Sequence, residues 1–86
     1  MTPDVIAAEI AVERDRQRAK WSAPHQWGTG DCSSPDVPIM VKVAVLSEEC
    51  GEVARAALDS GDWNTDQLRT ELIQVAAVAV AWLESL

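Results

Sequence analysis

Two acidic pairs in this chain have the residue types and the spacing to hold a divalent cation. Glu49 and Glu52, in the run that begins at Glu48, are three positions apart, and Glu71 and Gln74 repeat that spacing. On a helix, residues three apart share a face. Carboxylate oxygens that meet in one place are how proteins hold a hard cation such as Mg²⁺. The spacing therefore indicates a metal-dependent site, and it favours a phosphorylated substrate.

The register of the two pairs predicts that they meet. If their helices fold back on each other about residues 61–62, where the sequence signals a turn, Glu49 lies level with Gln74 and Glu52 lies level with Glu71. Two helices joined by a short connection pack as antiparallel neighbours. The alternative is that the glutamates simply form a wet helix surface, which is the usual meaning of an isolated acidic pair.

The fold class predicted from the sequence is all-α, with three helices. They are expected over residues 3–21, from 37 or 38 to 60, and over 65–86. Residues 22–36 form a loop rich in Gly, Pro and Ser, and a loop of that length is often functional. The predicted capping residues are Thr2, Asp36 and Asn64 at the helix starts and Gly61 at the end of the second helix.

The second and third helices each carry an apolar seam with the spacing 4, 3, 4, 3, 4, which is typical of helices that pack side by side. The third helix is also apolar beyond its seam, over residues 76–81, and a helix that is apolar all round is usually buried all round. We therefore expect a homo-oligomer, a dimer or a dimer of dimers, in which two hairpins of these helices complete a four-helix core. The seam residues are Ile39, Val43, Leu46, Cys50, Val53 and Ala57 in the second helix, and Leu68, Leu72, Val75, Ala79, Trp82 and Leu86 in the third.

Length and composition indicate one small domain over residues 1–86. The formal net charge of −7 argues against stable binding to nucleic acid, which depends on clustered Lys and Arg. The N-terminal segment does not have the pattern of a secretory signal, and the apolar stretch 75–83 is far shorter than the ~20 residues of a membrane span. Cys32 and Cys50 lack metal-site spacing, which predicts reduced thiols in a cytoplasmic protein and leaves a disulfide between them as the alternative.

One family shares this combination of motifs. The stretch 46–54, with the sequence LSEECGEVA, resembles the L-x-E-E-x-G-E-V motif of the MazG-like, all-α nucleoside triphosphate pyrophosphohydrolases. The charged segment 13–21, which precedes a loop, is similar to the first helix of many small members. Glu71 and Gln74 fall where the family carries its second acidic motif, E-x-x-D. The resemblance covers most of the chain.

The resemblance implies hydrolysis of a nucleoside or deoxynucleoside triphosphate to the monophosphate and pyrophosphate, with Mg²⁺ as the metal and Mn²⁺ as an alternative. It implies that Glu49, Glu52 and Glu71 are metal ligands and that Glu48 orients the site or a water. Glu48 or Glu49 would accept a proton from the attacking water. Gln74 departs from the family Asp: its amide oxygen can ligate Mg²⁺ without adding charge, or it binds a water or the substrate.

Several other residues are candidates for contact with the substrate. Lys20, Lys42 and Arg55 are candidate phosphate-binding residues, and each is as readily an ordinary surface cation. Trp21 and Trp27 are candidates for stacking on a nucleobase, because an aromatic face binds any base, and packing of the loop onto the bundle is the alternative. His25 is expected to be exposed, with contact to a base or phosphate as the alternative, and Trp63 and Trp82 are expected to be structural.

Two other functions remain open at this level. A non-catalytic nucleotide-binding or helical interaction protein that retains the fold is favoured by Gln74, which brings no charge to the metal site. A metal-dependent hydrolase of another phosphate ester would use the same carboxylates.

Overall fold

The computed structural model describes residues 1–60 and 65–86. In this part of the chain the regular elements are three helices and one short β-hairpin, which confirms the predicted all-α class. The predictions for the turn at residues 61–62 and for Gly61, Trp63 and Asn64 lie outside the described residues. The elements, in chain order, are α1 (Pro3–Lys20), β1 (Pro24–His25), β2 (Gly28–Thr29), α2 (Ile39–Ser60) and α3 (Thr65–Glu84).

The first helix begins and ends within one residue of its prediction. The Thr2 hydroxyl accepts a hydrogen bond from the Val5 N–H at 3.3 Å, and Pro3 occupies the first turn, where its missing N–H costs nothing. At the other end, the Trp21 N–H donates to the Gln17 carbonyl at 3.1 Å and closes the last turn. The predicted cap is therefore confirmed, and Trp21 lies directly after the helix.

The loop after α1 is more ordered than the sequence suggested. Its strands β1 and β2 pair antiparallel, with Pro24 opposite Thr29 and His25 opposite Gly28. Gly28 has a φ of 130°, and a Cβ placed on it would lie 2.8 Å from Asp36 Oδ2. Since L side chains rarely adopt this backbone conformation, glycine is required at that position. The predicted loop therefore contains a short hairpin that provides its own backbone pairing.

The predicted role of Asp36 as the cap of α2 is also wrong. Its carboxylate accepts the Thr29 N–H at 2.8 Å and so fastens the hairpin to the segment before α2. The helix itself begins at Ile39, and the Pro38 carbonyl accepts the N–H groups of Val41 and Lys42. A side chain two residues before the cap position cannot reach the first free N–H groups of the helix, so Asp36 is available for the hairpin.

The third helix is the centre of the fold. Within the described residues, α1 and α2 each pack against α3 and not against each other. The predicted α2–α3 hairpin is therefore confirmed. Small buried residues, Ala56 on α2 and Ala77 and Ala81 on α3, let the helices approach closely. An ion pair between Arg69 of α3 and Glu9 of α1 adds a link on the other side.

The predicted apolar seams are only partly buried. Leu72 and Leu86 on α3 are 51% and 85% exposed, and Ile39 on α2 is 60% exposed. On α2 the buried positions are instead Lys42 and Ala56. Other seam residues, such as Leu46 and Val75, are half-buried, and Leu46 packs against the core. The fully buried positions of α3 are Ala77, Val78 and Ala81, beside the predicted seam, because α3 receives two helices. As a result, several large apolar side chains remain on the outside of the hairpin.

Two further sequence expectations can be compared with the structure. Both cysteines are free in the structure, with Cys32 buried and Cys50 exposed. Among the helices of the described residues, none combines the length and the apolar character that crossing a membrane requires.

Candidate active site

A cavity of about 590 Å³ opens between α1 and α2. Val78 of α3 and Cys32 of the loop form part of its floor. Five residues predicted from the sequence to contact substrate or take part in catalysis line its walls. They are Lys20, Trp21, Trp27, Glu48 and Glu49. Because ligand pockets typically enclose about 300–1,000 Å³, this volume suits a small molecule of nucleotide size.

Aromatic rings form one end of the cavity. The His25 ring lies between the two tryptophans, with its centroid 5.4 Å from that of Trp21 and 6.1 Å from that of Trp27. The Lys20 ammonium lies 5.4 Å from the Trp21 ring centroid, within the range of a cation–π contact. This end of the cavity therefore offers flat apolar surfaces with a positive charge beside them.

Hydrogen bonds on both ring nitrogens hold His25 in place. Its Nε2 lies 2.8 Å from the Gly30 carbonyl oxygen, so Nε2 carries the proton and donates. Its Nδ1 accepts the Trp27 N–H at 3.3 Å. The half-buried ring is therefore used to shape the hairpin, and the expectation of an exposed histidine is wrong.

The acidic end of the cavity is built around Glu49. With its amide nitrogen facing the carboxylates, Gln74 donates to Glu71 Oε2 at 2.9 Å and to Glu49 Oε2 at 3.2 Å. The predicted register of Glu49 with Gln74 is confirmed by this contact. The amide joins α2 to α3 at the height where the sequence placed the two acidic pairs.

The environment of Glu49 is electrostatically unfavourable for a carboxylate. Burial raises the pKa of Glu49, and the negative charges of Glu71, Glu48, Glu13 and Glu52 raise it further. We call these five glutamates the acidic cluster. A divalent cation placed among them would relieve this repulsion, because an opposite charge favours the ionised form.

The residues predicted as metal ligands are thus near one another without forming a complete ligand set. Glu71 is half-buried beside Glu49, whereas Glu52 is exposed. Across residues 1–60 and 65–86, no group of three or more His, Cys, Asp or Glu side chains is arranged to hold a metal ion. The convergence of the Glu49 and Glu71 oxygens on the Gln74 amide shows that carboxylates of the type that suits Mg²⁺ share one small region.

Two of the predicted phosphate-binding residues lie away from the cavity. Lys42 is 3% exposed, and its ammonium donates to Ser85 Oγ at 2.8 Å near the end of α3. Arg55 forms an exposed pair with Asp59 at 3.5 Å, one helical turn further along α2. In these positions both side chains have local structural partners.

A buried charge network stands behind the cavity, and the sequence analysis did not identify it. Arg14 donates to Asp31 Oδ2 at 2.6 Å, to Glu84 Oε2 at 3.0 Å and to Gln17 Oε1 at 3.0 Å. Burial works to raise the pKa of Asp31, but hydrogen bonds from Arg14 and Ser33 outweigh it and the pKa is lowered. We call Arg14, Asp31 and Glu84 the Arg14 network; it ties α1 to the loop and to the end of α3.

The sequence did contain a signal for this network. Segment 13–18 is strongly charged, which is typical of a solvated helix face, yet Glu13, Arg14 and Gln17 are all buried. Together with Ile10 they follow the i, i+3, i+4, i+7 spacing of a helix face that packs against its neighbours. Charged residues at those positions indicate a buried polar network when partners are available in another segment.

Comparisons of the chain with protein-family models, with curated proteins and with solved structures gave no match. The cavity and the acidic cluster are therefore the features of the molecule that bear on its function.

Proposed function

We propose that this protein is a Mg²⁺-dependent nucleoside triphosphate pyrophosphohydrolase of the MazG-like type, releasing a nucleoside monophosphate and pyrophosphate. The observation that carries the proposal is the composition of the cavity between α1 and α2. Two tryptophans line one part of its wall and two glutamates line another. A nucleotide needs both kinds of surface, an aromatic face for the base and a site for the charged phosphates.

In this proposal, different residues of the chain bind the base, contact the phosphate, accept the proton and position the carboxylates. Trp21 and Trp27 hold the base, and Lys20 lies beside them to meet a phosphate or the sugar. Glu48, exposed on the cavity wall, accepts a proton from the attacking water. Gln74 donates to Glu49 and Glu71 and holds the two carboxylates side by side.

The residues that would hold Mg²⁺ are Glu49, Glu52 and Glu71, with Gln74 as their hydrogen-bond partner. A cation bound there supplies positive charge that offsets the phosphate oxygens and makes a bound water more acidic. The raised pKa of Glu49 supports this assignment, because neighbouring negative charges contribute to it and a bound cation would offset their repulsion.

The test is pyrophosphate release from a panel of ribo- and deoxyribonucleoside triphosphates with Mg²⁺ or Mn²⁺. We expect release by the wild type, and a loss of about 100-fold or more in Glu49→Gln and Glu52→Gln. Asp59→Asn is the matched control, since it removes one negative charge from the same helix, away from the cavity. Orthophosphate without pyrophosphate would show that a different bond is cut, and no product from any substrate would overturn the proposal.

A non-catalytic nucleotide-binding protein is the second candidate, and the Gln74 contacts favour it. The Gln74 amide already donates hydrogen bonds to Glu49 and Glu71, so it provides part of the stabilisation that a cation would otherwise give these two carboxylates. This candidate predicts nucleotide binding, measured by quenching of tryptophan fluorescence, with no turnover under any metal condition.

We also propose that two copies of the chain pair through the outer face of the α2–α3 hairpin. Ile39, Val43 and Leu72, which belong to the predicted seams of α2 and α3, leave large apolar side chains exposed. Exposed apolar surface of this kind commonly marks an interface. Sedimentation should show a wild-type dimer that Leu72→Glu converts to monomer. Leu58→Glu, at a highly exposed position off the predicted seam, should leave the dimer intact; a monomeric wild type would refute the pairing.

A further inference from the structure

We propose that Arg16, held in position by Glu13, is a phosphate-binding residue of the cavity. The proposal deepens the proposed function and rests on it, because it assigns a specific anion contact within the same site. Arg16 and Lys20 are one helical turn apart on α1, and both line the cavity.

The hydrogen bonds of Arg16 leave one side of its guanidinium available. Its Nε donates to Glu13 Oε1 at 2.6 Å and its Nη2 donates to Glu13 Oε2 at 2.7 Å. This side-on pair uses two of the five N–H groups. In the described part of the chain, Arg16 makes hydrogen bonds only to Glu13, so the two terminal nitrogens still present donors on the opposite edge. That edge matches the spacing of two phosphate oxygens.

The Glu13 carboxylate is anchored, so it fixes the direction of Arg16. It is buried and also accepts from Gln17 Nε2 at 3.2 Å. The hydrogen bond from Arg16 is the main cause that lowers the pKa of Glu13, so the carboxylate stays ionised and keeps its hold. The Arg16 side chain itself is 53% exposed, which leaves it accessible to a ligand.

The other two arginines of α1, Arg14 and Arg18, each pair with two carboxylates. Arg14 is buried in the Arg14 network. Arg18 pairs with Asp15 at 3.3 Å and with Glu84 at 3.0 Å, and it does not line the cavity. Arg16 is therefore the arginine of this helix whose position and unused donors both suit an incoming anion.

The position of Arg16 relative to the acidic cluster also suits a phosphate. The negative charge of Glu49 contributes to the raised pKa of Arg16, so the two side chains, which both line the cavity, interact electrostatically. A polyphosphate entering an acidic site needs positive charge beyond that of a cation held by the carboxylates. Arg16 supplies it on the wall opposite α2.

The experiment measures affinities for non-hydrolysable α,β-imido nucleoside triphosphates of the four bases and for the corresponding nucleosides, by calorimetry in Mg²⁺. We expect Arg16→Gln to weaken the triphosphate analogue by about tenfold to one-hundredfold and to leave nucleoside affinity unchanged. Arg16→Lys and Glu13→Gln should fall between, because each keeps part of the charge or part of the fixed geometry. A merely structural role would weaken nucleoside and triphosphate alike.

Arg18→Gln is the matched control and should keep triphosphate affinity within about twofold, since exposed ion pairs contribute little. Equal triphosphate affinity in Arg16→Gln and the wild type would overturn the assignment, as would no binding of any analogue by the wild type. Pyrophosphate release by the wild type with unchanged binding in Arg16→Gln would reject only the role of Arg16. Binding that depends on Arg16 without any pyrophosphate release would reject only the catalytic proposal.

Discussion

The Arg14 network and the acidic cluster use the same kinds of side chain in opposite ways. In the Arg14 network, a buried cation meets Asp31 and Glu84, and the pKa of each of these carboxyls is lowered. In the acidic cluster, Glu49 is surrounded by like charges and its pKa is raised. The first arrangement stabilises the fold at neutral pH and the second opposes it. Raised carboxyl pKa values of this kind occur often at functional sites, which is why the proposed function is built on the acidic cluster.

The two regions are physically coupled through α1. Arg14 and Glu13 are consecutive, so the residue that fixes the helix to the loop is next to the residue that orients Arg16. The Arg14 network also holds Asp31, which lines the floor of the cavity. The network therefore fixes one residue of the cavity lining to α1.

The largest expected effect comes from breaking the Arg14 network. Arg14→Leu leaves Asp31 buried without its cation, and removing one partner of a buried pair typically costs about 3–5 kcal/mol. That is a large share of the free energy of unfolding of a domain of this size. Urea unfolding followed by circular dichroism measures the loss.

The control for this prediction is Arg18→Leu, which removes an exposed arginine from the same helix and should cost less than about 1 kcal/mol. Asp31→Asn is the milder second variant and should unfold at an intermediate urea concentration, since an amide can still accept from Arg14. Equal stability of Arg14→Leu and Arg18→Leu would show that the network is not what holds α1 to the loop.

The next effect is the response to acid. The folded-state pKa values of Asp31 and Glu13 lie below their unfolded values, so both contribute stability at pH values above the unfolded pKa. This contribution is lost as the pH falls through the folded pKa. We expect the free energy of unfolding to fall steadily below about pH 4. Asp31→Asn should flatten this acid limb, and an unchanged slope in that variant would contradict the assignment.

Much of the fold followed from the sequence because the decisive signals were local. Thr2 at the start of α1 and the register of Glu49 with Gln74 depend only on spacing along the chain. The orientation of α3 could not be predicted in the same way. It depends on how closely Ala77 and Ala81 let two other helices approach, which is a property of three segments together.

The candidate site was predictable to a similar extent. Lys20, Trp21 and Trp27 follow from the charged helix end and the aromatic loop, and they do line the cavity. Lys42 lies seven residues before Glu49, and this regular spacing makes it a candidate for contact with a phosphate. Its burial against Ser85 depends on where α3 ends relative to α2, and no local pattern carries that information.

In the acidic cluster we expect a substitution to raise the free energy of unfolding, by less than the loss of the Arg14 network lowers it. Glu49→Gln removes a charge that four glutamates oppose and keeps a side chain of the same shape. Like-charge neighbours on helices cost about 0.2–0.5 kcal/mol each, so we expect the variant to gain about 1 kcal/mol of stability in a chelating buffer. Thermal unfolding at low ionic strength measures the gain.

Salt provides the check on this explanation. The difference between Glu49→Gln and the wild type should shrink as ionic strength rises, because salt screens the repulsion. Added Mg²⁺ should raise the melting temperature of the wild type and not that of the variant. A variant less stable than the wild type in chelator would mean that Glu49 is held mainly by favourable contacts.

The smallest change in stability is expected at Gly51, inside the acidic motif, where a substitution tests whether glycine is needed for function. Gly51 lies inside α2, and a Cβ added there would meet no atom within 4 Å among the described residues. Because glycine is a poor helix residue, Gly51→Ala should stabilise the protein by about 0.5–1 kcal/mol. Gly28→Ala is the contrasting control and should destabilise the protein, since the positive φ of Gly28 and the nearby Asp36 oxygen both exclude a side chain.

If Gly51→Ala weakens pyrophosphate release while stabilising the fold, a ligand approaches the backbone of α2 between the two acidic residues of the motif. If Gly51→Ala instead lowers stability, another molecule fills the open space beside Gly51 in solution. The proposed second copy of the chain, packed on the exposed seam residues, would be that molecule.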